Sequence, residues 1–279
     1  MQSLKKANEV LEKFQKISNT NTAIPIDPTK GYKVGIDLGT SSIVLVVLNA
    51  DNQPVFGSFE FADVVRDGLV VNYMQSVQVI SRLKKQAEEI LGFSLKAASG
   101  AIPPGTIGNN KSVIANIIES AGMVPDELVD EPMAAALFLG ITDGAVIDIG
   151  GGTTGISILI NGKPVVVVDE PTGGTHMTLV LAGHFHESFE EAEKRKRNAL
   201  KENENFAIIR PVIQRMAEIT KQALMRQPTD SLYVVGGAAY FSEFEKEFAK
   251  YLKQNVCKPV FPQFVTPIGI AMSSKTIYI

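Results

Sequence analysis

The 279-residue sequence lacks several features that would place it in other classes of protein. It has one cysteine, Cys257, so no disulfide can form within the chain, and this suits a reducing compartment. It has no tryptophan, no signal-peptide pattern at its start, and no apolar run near the ~20 residues that a membrane-spanning helix needs. We therefore expect a cytoplasmic protein with no membrane span.

Neither sign of charge dominates the sequence. The chain has 27 basic and 30 acidic residues, so the basic surface typical of nucleic-acid-binding proteins is missing and we expect no nucleic-acid partner. Apolar residues make up 45% of the chain, which is enough for two compact lobes of roughly 100 to 150 residues each.

What the sequence does contain is one pattern that occurs twice. The first copy is an apolar strand through Asp37, a short run of glycine and hydroxyl residues, and a second apolar strand; the second copy has the same order around Asp148. In each copy a turn follows, at residues 49–54 and 161–164, and then a third strand. Both copies predict strand, hairpin, strand, turn, strand. We infer a duplicated domain with two facing lobes.

The residue types of the two hairpins suit a phosphate group. Glycine removes side chains that would block the backbone, so that N–H groups can converge on an anion, and hydroxyl residues add donors. A nearby carboxylate would repel phosphate unless a divalent cation or its water shell lay between them, so Asp37 and Asp148 are predicted to hold Mg²⁺ through water. The alternative is that the motif marks only a tight hairpin, but its duplication favours a site. The predicted phosphate-binding residues are Gly39, Thr40, Ser41, Ser42, Gly150, Gly151, Gly152, Thr153 and Thr154.

These two motifs resemble the first and second phosphate motifs of the actin-like ATPase superfamily, which includes DnaK-type chaperones, sugar kinases, actin and FtsA-type proteins. Over its length the chain resembles the small EutJ family of ethanolamine utilization proteins. The resemblance implies an α/β fold of the actin-like ATPase (ribonuclease H-like) type. Two duplicated lobes, each a mixed five-stranded sheet plus helices, would surround a central cleft that binds ATP and Mg²⁺.

Residues 130–136 form the next informative stretch. Pro132 is tolerated in the first turn of a helix and the alanines allow close helix packing, so a helix start is predicted here. The stretch resembles the first connecting motif of DnaK-type ATPases, whose glutamate points into the cleft near the metal and the attacking water. The resemblance gives that place to Glu131, alongside Asp37 and Asp148 as catalytic carboxylates. The alternative is a helix-start carboxylate favoured by the helix dipole.

Three further stretches resemble motifs of the superfamily, and the second and third of them resemble its nucleoside site. Residues 171–178 are similar to a Gly-Gly-x-His-Ile-Thr turn of FtsA-type proteins. Residues 188–197 resemble a motif whose Glu and Lys flank the nucleoside, although their composition alone indicates a solvated helix that starts with a capping box. Residues 232–240 predict a strand that runs into Gly-Gly, similar to the adenosine motif, with a tyrosine ring where DnaK-type proteins stack an arginine on adenine. The residues concerned are Gly173, Gly174, Glu193, Lys196, Gly236, Gly237 and Tyr240.

The sequence also departs from the superfamily pattern. The last predicted helix, residues 267–272, matches the second connecting motif, except that Thr266 replaces the usual acid before it. No residue takes the place of the cleft lysine that DnaK-type chaperones contribute. We therefore expect hydrolysis, if it occurs, to be slow. A strand over residues 95–102 is predicted to run into Pro103-Pro104-Gly105.

Three segments follow from these assignments. Residues 1–30 are predicted to be an N-terminal amphipathic helix and linker, because apolar positions recur at spacings of three and four from Leu4 to Ile17. Residues 31–140 plus 262–279 would form lobe I, and residues 141–261 lobe II with a reduced outer helical subdomain. The N-terminal helix could dock to a partner, or it could fold back onto its own lobe.

The EutJ resemblance implies a chaperone-like or assembly role with a protein partner in ethanolamine metabolism or its microcompartment. The chain would then act as a slow Mg-ATP-dependent switch, in the cytoplasm or associated with the microcompartment. One alternative is a nucleotide-binding scaffold without hydrolysis. A small-molecule kinase is less favoured, because no substrate pocket with an aspartate base is visible. The sequence names neither the client nor the oligomeric state.

Overall fold

The structure, a computed structural model, describes residues 2–27, 29–66, 69–102 and 109–278. The first half of the chain contains helices α1 (Gln2–Ile17), α2 (Tyr73–Leu91), α3 (Asn109–Ser120) and α4 (Glu131–Leu139). Its strands are β1 (Tyr32–Leu38), β2 (Ser42–Asn49), β3 (Pro54–Phe61), β4 (Val65–Arg66), β5 (Leu69–Val70), β6 (Ala97–Ile102) and β7 (Val124–Asp130). Five of these strands form the lobe I sheet in the order β3-β2-β1-β6-β7, and β4 and β5 form a separate short ribbon.

The second half repeats this plan. Its strands are β8 (Gly144–Ile149), β9 (Thr154–Ile160), β10 (Lys163–Glu170), β11 (Leu232–Val235) and β12 (Val256–Cys257). Its helices are α5 (Gly174–Phe185), α6 (Phe189–Lys196), α7 (Glu202–Arg226), α8 (Phe244–Leu252) and α9 (Val265–Ser273). The lobe II sheet has the order β10-β9-β8-β11-β12.

The two sheets have the same topology and the same register at the hairpins. In each sheet three antiparallel strands are followed by two parallel ones. Asp37 pairs with Val44 and Asp148 pairs with Gly155, seven positions later in both cases. The predicted pair of mixed five-stranded sheets is confirmed.

The helix signals in the sequence act as expected. Helix α4 begins at Glu131 with a proline in its first turn and ends at Gly140, which is in the left-handed conformation. Helix α6 begins at Ser188, which forms the predicted capping box with Glu191. The predicted turn at residues 103–105 lies outside the described residues. None of the helices in the described ranges combines the length and apolar character of a membrane span.

Helices α4 and α9 cross each other with their backbones in contact. A Cβ added to Gly269 would overlap the carbonyl oxygen of Ala134 in α4, and one added to Gly35 in β1 would overlap the backbone of Ala271 in α9. Helix α9 therefore returns after lobe II to lie against the first strand of lobe I. The side chains at this crossing join a hydrophobic cluster to which both sheets contribute. The two lobes thus meet at this crossing.

The N-terminal helix packs onto its own chain. Ala7, Leu11 and Phe14 are buried in the cluster between the lobes, and Phe14 contacts Phe264 edge-on at 4.9 Å between ring centroids. Gly57 in β3 leaves the space that the Phe14 ring occupies. Of the two alternatives left open by the sequence, the structure has the packed one.

Replacing Phe14 with alanine is therefore expected to destabilise the protein by about 3 kcal/mol, since a fully buried ring is lost and leaves a cavity. Urea unfolding would measure this change. The matched control is Glu12→Ala, an exposed position on the same helix, which should change the free energy of unfolding by less than about 0.5 kcal/mol. Equal midpoints for the two variants would mean that α1 is not part of the core.

Candidate functional site

A cavity of about 460 Å³ lies between the lobes. Both hairpins reach it, and so do the start of α4 and the loop after β11. The structure thus brings together residues that are far apart in the sequence. The predicted site residues that line it are Asp37, Gly39, Thr40, Ser41, Ser42, Glu131, Asp148, Gly150, Gly151, Thr153, Gly174, Glu193, Lys196, Gly236, Gly237 and Tyr240.

The two hairpins are closed by equivalent hydrogen bonds and face each other. The Gly39 amide donates to the Ser42 carbonyl at 2.9 Å, and the Gly150 amide donates to the Thr153 carbonyl at 3.0 Å. Gly151 lies so close to Ser41 that any side chain at position 151 would overlap the serine hydroxyl. Glycine suits this position because the backbone of the second hairpin lies directly against the Thr40 and Ser41 side chains of the first.

Two backbone amides at the start of α5 hydrogen-bond to the second hairpin and orient it. The amides of Gly174 and Thr175 donate to the carbonyls of Gly150 and Gly151, at 2.9 and 2.7 Å. In a trans peptide the following N–H points opposite to the carbonyl, so the amides of Gly151 and Gly152 point away from α5. The hairpin therefore keeps donors free for an anion while its acceptors are satisfied.

Three predicted phosphate-side residues do not line the cavity, although they support those that do. Gly173 packs against the backbone of residues 150–152, where a Cβ would lie 2.6 Å from the Gly151 carbonyl oxygen. Thr154 is buried and donates from its hydroxyl to the Thr172 carbonyl at 2.6 Å. Gly152 is buried within the second hairpin. These residues shape the hairpin.

Four carboxylates meet behind the hairpins. Burial, and then the charge of Asp148, raises the pKa of Asp37 to about 7. Burial raises the pKa of Asp148 to about 6 against the opposing hydrogen bond from Thr266, whose Oγ1 lies 2.6 Å from Oδ2. Burial raises the pKa of Glu131 well above its usual value, and the charges of Asp148, Asp37 and Asp169 add to this effect. Asp169 itself also has a raised pKa, chiefly from burial.

The repulsion within this carboxylate cluster allows us to ask whether Mg²⁺ fits the site. Like charges held close together in a partly desolvated site raise one another's pKa, and a divalent cation would relieve that repulsion. Within the described ranges no group of three or more His, Cys, Asp or Glu side chains could hold a metal directly. The repulsion among the carboxylates fits a divalent cation, which Asp37 and Asp148 are predicted to hold through water.

The wall predicted to face the nucleoside is a small polar network. Lys196 is buried, donates to the Gly174 carbonyl at 3.0 Å and to Thr178 Oγ1 at 2.7 Å, and pairs with Glu193 at 2.6 Å. Burial lowers the pKa of Lys196, against the opposing charge of Glu193. Thr178 also donates to Glu193. The predicted pair Glu193 and Lys196 therefore lies at the cavity wall, each residue with a protein partner.

Tyr240 lines the same wall. Its hydroxyl donates to the Lys196 carbonyl, and its ring is stacked on Phe241 with centroids 4.2 Å apart. Arg197 pairs with Glu193 at 2.7 Å and places its guanidinium 3.8 Å from the centroid of the Phe61 ring, which belongs to lobe I. This cation–π contact joins the two lobes across the cavity.

Sequence reasoning missed several residues that line the cavity, among them Gln15, Phe61, Arg197 and Gln263. Gln263 lies beside Gly237, and its buried Oε1 has no hydrogen-bond partner in the described part of the chain. An unpaired buried acceptor is costly, so this atom fits a donor from a ligand or a water. Gln15 reaches the cavity only because α1 folds back, and no local signal in the sequence indicates that.

The carboxylate cluster predicts an unusual pH dependence. Because the pKa values of Asp37 and Asp148 are raised in the folded state, the folded state binds more protons than the unfolded state above about pH 4. The free energy of unfolding is therefore highest below about pH 4 and falls as pH rises through the folded-state pKa values of about 6 to 7. Between pH 5 and pH 8, in the absence of divalent cations, we expect this cluster to lower the free energy of unfolding by roughly 2 kcal/mol.

Urea unfolding of the wild type and Asp37→Asn at both pH values would isolate the contribution of the cluster. The variant should show a clearly smaller difference between the two pH values, and Mg²⁺ should narrow the difference in the wild type. Parallel pH profiles for the two proteins would contradict mutual repulsion among these carboxylates.

Comparison with known proteins places this fold and cavity in a class. The family model for the MreB/Mbl protein matches residues 57–196, and the model for cell division protein FtsA matches residues 145–269. The crystal structure of MreB5 of Spiroplasma citri bound to ADP has the same fold, with a TM-score of 0.70 at 16% identity, over 87% of this chain and 95% of that one. The chain thus has the fold of an actin-like ATPase.

Two relatives define the family more narrowly. Ethanolamine utilization protein EutJ of Salmonella typhimurium is 37% identical over 243 residues, which cover 87% of this chain and 85% of the relative. The crystal structure of EutJ from Carboxydothermus hydrogenoformans has a TM-score of 0.92 and 44% identity, over 96% of this chain and 98% of that one. The chain belongs to the ethanolamine utilization protein EutJ family.

Proposed function

We propose that the chain binds Mg²⁺-ATP between its lobes and acts as a slow nucleotide-dependent switch, with a chaperone-like or assembly role in ethanolamine utilization. The observation that carries this proposal is the pair of equivalent hairpins, one from each lobe, facing each other at one cavity with carboxylates behind them. The structure of an MreB5 bound to ADP supports a nucleotide as the ligand of such a fold.

The phosphates would lie between the hairpins. Backbone amides and the hydroxyls of Thr40, Ser41, Ser42 and Thr153 line the cavity and supply donors. Mg²⁺ would neutralise phosphate charge, held through water by Asp37 and Asp148. Glu131 would orient the attacking water, since its position at the start of α4 places it beside both aspartates.

Turnover is expected to be slow. The cations that line the described part of the cavity, Lys196 and Arg197, both belong to lobe II and both pair with Glu193. Neither is free to stabilise negative charge on a transferring phosphoryl group. Slow turnover suits a switch in which bound nucleotide closes the lobes about the α4–α9 crossing and a partner recognises that state.

The adenine would lie beside Tyr240. Replacing Tyr240 with alanine should weaken nucleotide affinity about tenfold, because a stacking surface is lost. Tyr240→Phe keeps the ring and loses only the hydroxyl bond to the Lys196 carbonyl, so its effect should be clearly smaller. Equal losses in titrations with MgADP would exclude stacking as the role of this residue.

Calorimetry and steady-state phosphate release together test the proposal. Binding of MgATP with unstimulated, slow phosphate release would support the switch. An absence of heat with ATP or ADP, with and without Mg²⁺, would refute the nucleotide site.

A scaffold that binds nucleotide without hydrolysis is the second candidate. It is favoured by Thr266, which donates to Asp148 where superfamily relatives have an acid. Tight binding with no phosphate release would select it. A phosphorylated small molecule in assays with candidate substrates would instead indicate a kinase.

The family supports a class of partner. The name of the EutJ relatives supports a protein partner in ethanolamine metabolism or its microcompartment, with a cytoplasmic or microcompartment-associated location. Affinity capture of ethanolamine-pathway proteins with ATP, with ADP and without nucleotide would test this. Equal capture of these proteins with ATP, with ADP and without nucleotide would argue against a switch.

A further inference from the structure

The outer edge of the lobe II sheet is an exposed strand. Strand β10 pairs with β9 on one side only, and six of its eight residues are exposed. Within the described ranges no hydrogen bond joins the backbone of residues 163–169 to any element other than β9. The strand contains four consecutive valines, of which Val165 and Val167 are 49% and 39% exposed. Pro164 has no N–H to donate and a bulge separates it from Val166, so the regular edge that could pair with another strand is residues 166–170.

The duplicate of this edge in lobe I is covered. The chain after α1 runs along β3, where the Asn19 amide donates to the Gly57 carbonyl and the Ile24 amide donates to the Val55 carbonyl, each at 2.9 Å. The Asn19 side chain exchanges two further bonds with the backbone of Phe59, at 2.7 and 3.1 Å. The chain therefore uses its own N-terminal segment to satisfy one of two equivalent edges, and among the described residues no strand or segment pairs with the other.

The charges of β10 indicate what covers it. The strand begins with Lys163 and ends with Asp169 and Glu170, with no charge between. When two copies of such a strand pair antiparallel, the basic end of each lies beside the acidic end of the other, and the valines lie together at the centre. Parallel pairing would bring like charges together. The strand is thus complementary to itself in the antiparallel direction.

We propose that β10 pairs antiparallel with β10 of a second copy of this chain, so that the two lobe II sheets join across a two-fold axis into one ten-stranded sheet. The contact is the same on both copies, so it closes after two chains. With the bulge between Pro164 and Val166 counted as one extra residue, the register that sets Lys163 beside Glu170 of the other copy places the axis at Val167. At each end of the contact, Lys163 of one copy faces Glu170 of the other.

Sedimentation over a range of protein concentrations tests this with charge reversals. Lys163→Glu and Glu170→Lys should each raise the dimer dissociation constant by about tenfold, because each places like charges together at both ends. The double variant, which carries both reversals, should return to near the wild-type value. Val167→Lys should weaken the dimer at least as much as either single reversal. Leu200→Lys, at a 96% exposed position elsewhere in lobe II, is the control and should change nothing.

A cysteine experiment tests the geometry independently. In a Cys257→Ser background, Val167→Cys lies near the axis and should form an intermolecular disulfide on mild oxidation, whereas Leu200→Cys should not. The proposal is overturned by a chain that stays monomeric at every concentration, or by a dimer that Val167→Lys leaves intact. It is also overturned if the double variant dimerises more weakly than either single variant. None of these outcomes depends on nucleotide binding.

Discussion

Replacing Asp148 with asparagine should weaken Mg²⁺-dependent nucleotide binding at least about 100-fold, because the proposed site loses a buried charge that would hold the hydrated cation. Asp148 is 6% exposed at the end of β8, with Thr266 fixing one carboxylate oxygen and Gly236 packed against the other. Asparagine has nearly the same shape, so the geometry of the hairpin should persist.

Stability distinguishes this effect from misfolding. Because Asp148 raises the pKa of Asp37 and Glu131, its neutralisation relieves repulsion, and the variant should unfold at the same or a higher urea concentration near pH 8. Calorimetric titration with MgATP and with ATP plus chelator would measure the binding. Asp63→Asn, at an exposed surface ion pair, is the matched control. Wild-type affinity and Mg²⁺ dependence in Asp148→Asn would refute the assignment of the cation site.

Replacing Gly269 with alanine should cost 3 kcal/mol or more, roughly the upper end for overpacking a core. The added methyl would overlap the Ala134 carbonyl, which belongs to a helix backbone and has no rotamer by which to move away. Helices α4 and α9 would have to separate, and the clusters of both lobes meet at that crossing.

A second helical glycine gives a matched control for this prediction. Gly183 lies in α5 and has nothing within 4 Å of the position that a methyl would take. Gly183→Ala should therefore stabilise the protein by about 0.5 to 1 kcal/mol, through helix propensity alone. Urea unfolding of the two variants should give changes of opposite sign. A small effect of Gly269→Ala would mean that the helices are not in backbone contact.

Local patterns in the sequence predicted the elements well. The hairpins were predictable because glycine runs interrupt the strand pattern and tolerate the backbone conformations of a tight turn between two apolar strands. The start of α4 was predictable because Pro132 fits the first turn of a helix, and the capping box at Ser188 is a local signal. Duplication then predicted two equivalent sheets, since equivalent patterns fold into equivalent meanders.

The N-terminal helix shows where local patterns stop. Its apolar stripe was visible, but the same stripe could pack on a partner or on the chain itself. The decision rests on Gly57, in another element, which leaves room for the Phe14 ring. An apolar stripe predicts that one face of a helix will be buried. Which surface buries it depends on the fit between residues that are far apart in the sequence.

The candidate site divides in the same way. The sequence by itself determined the hairpin part of the cavity lining, because the hairpin glycines and the two strand-end aspartates are fixed by local conformation and chemistry. Only the tertiary structure decided that Arg197 would meet Phe61 across the lobes, that Gln263 would have an acceptor with no partner among the described residues, and that four carboxylates would share one site. The physical reason is that charge coupling and burial depend on distances between elements, and these distances exist only once the two lobes have packed about the α4–α9 crossing.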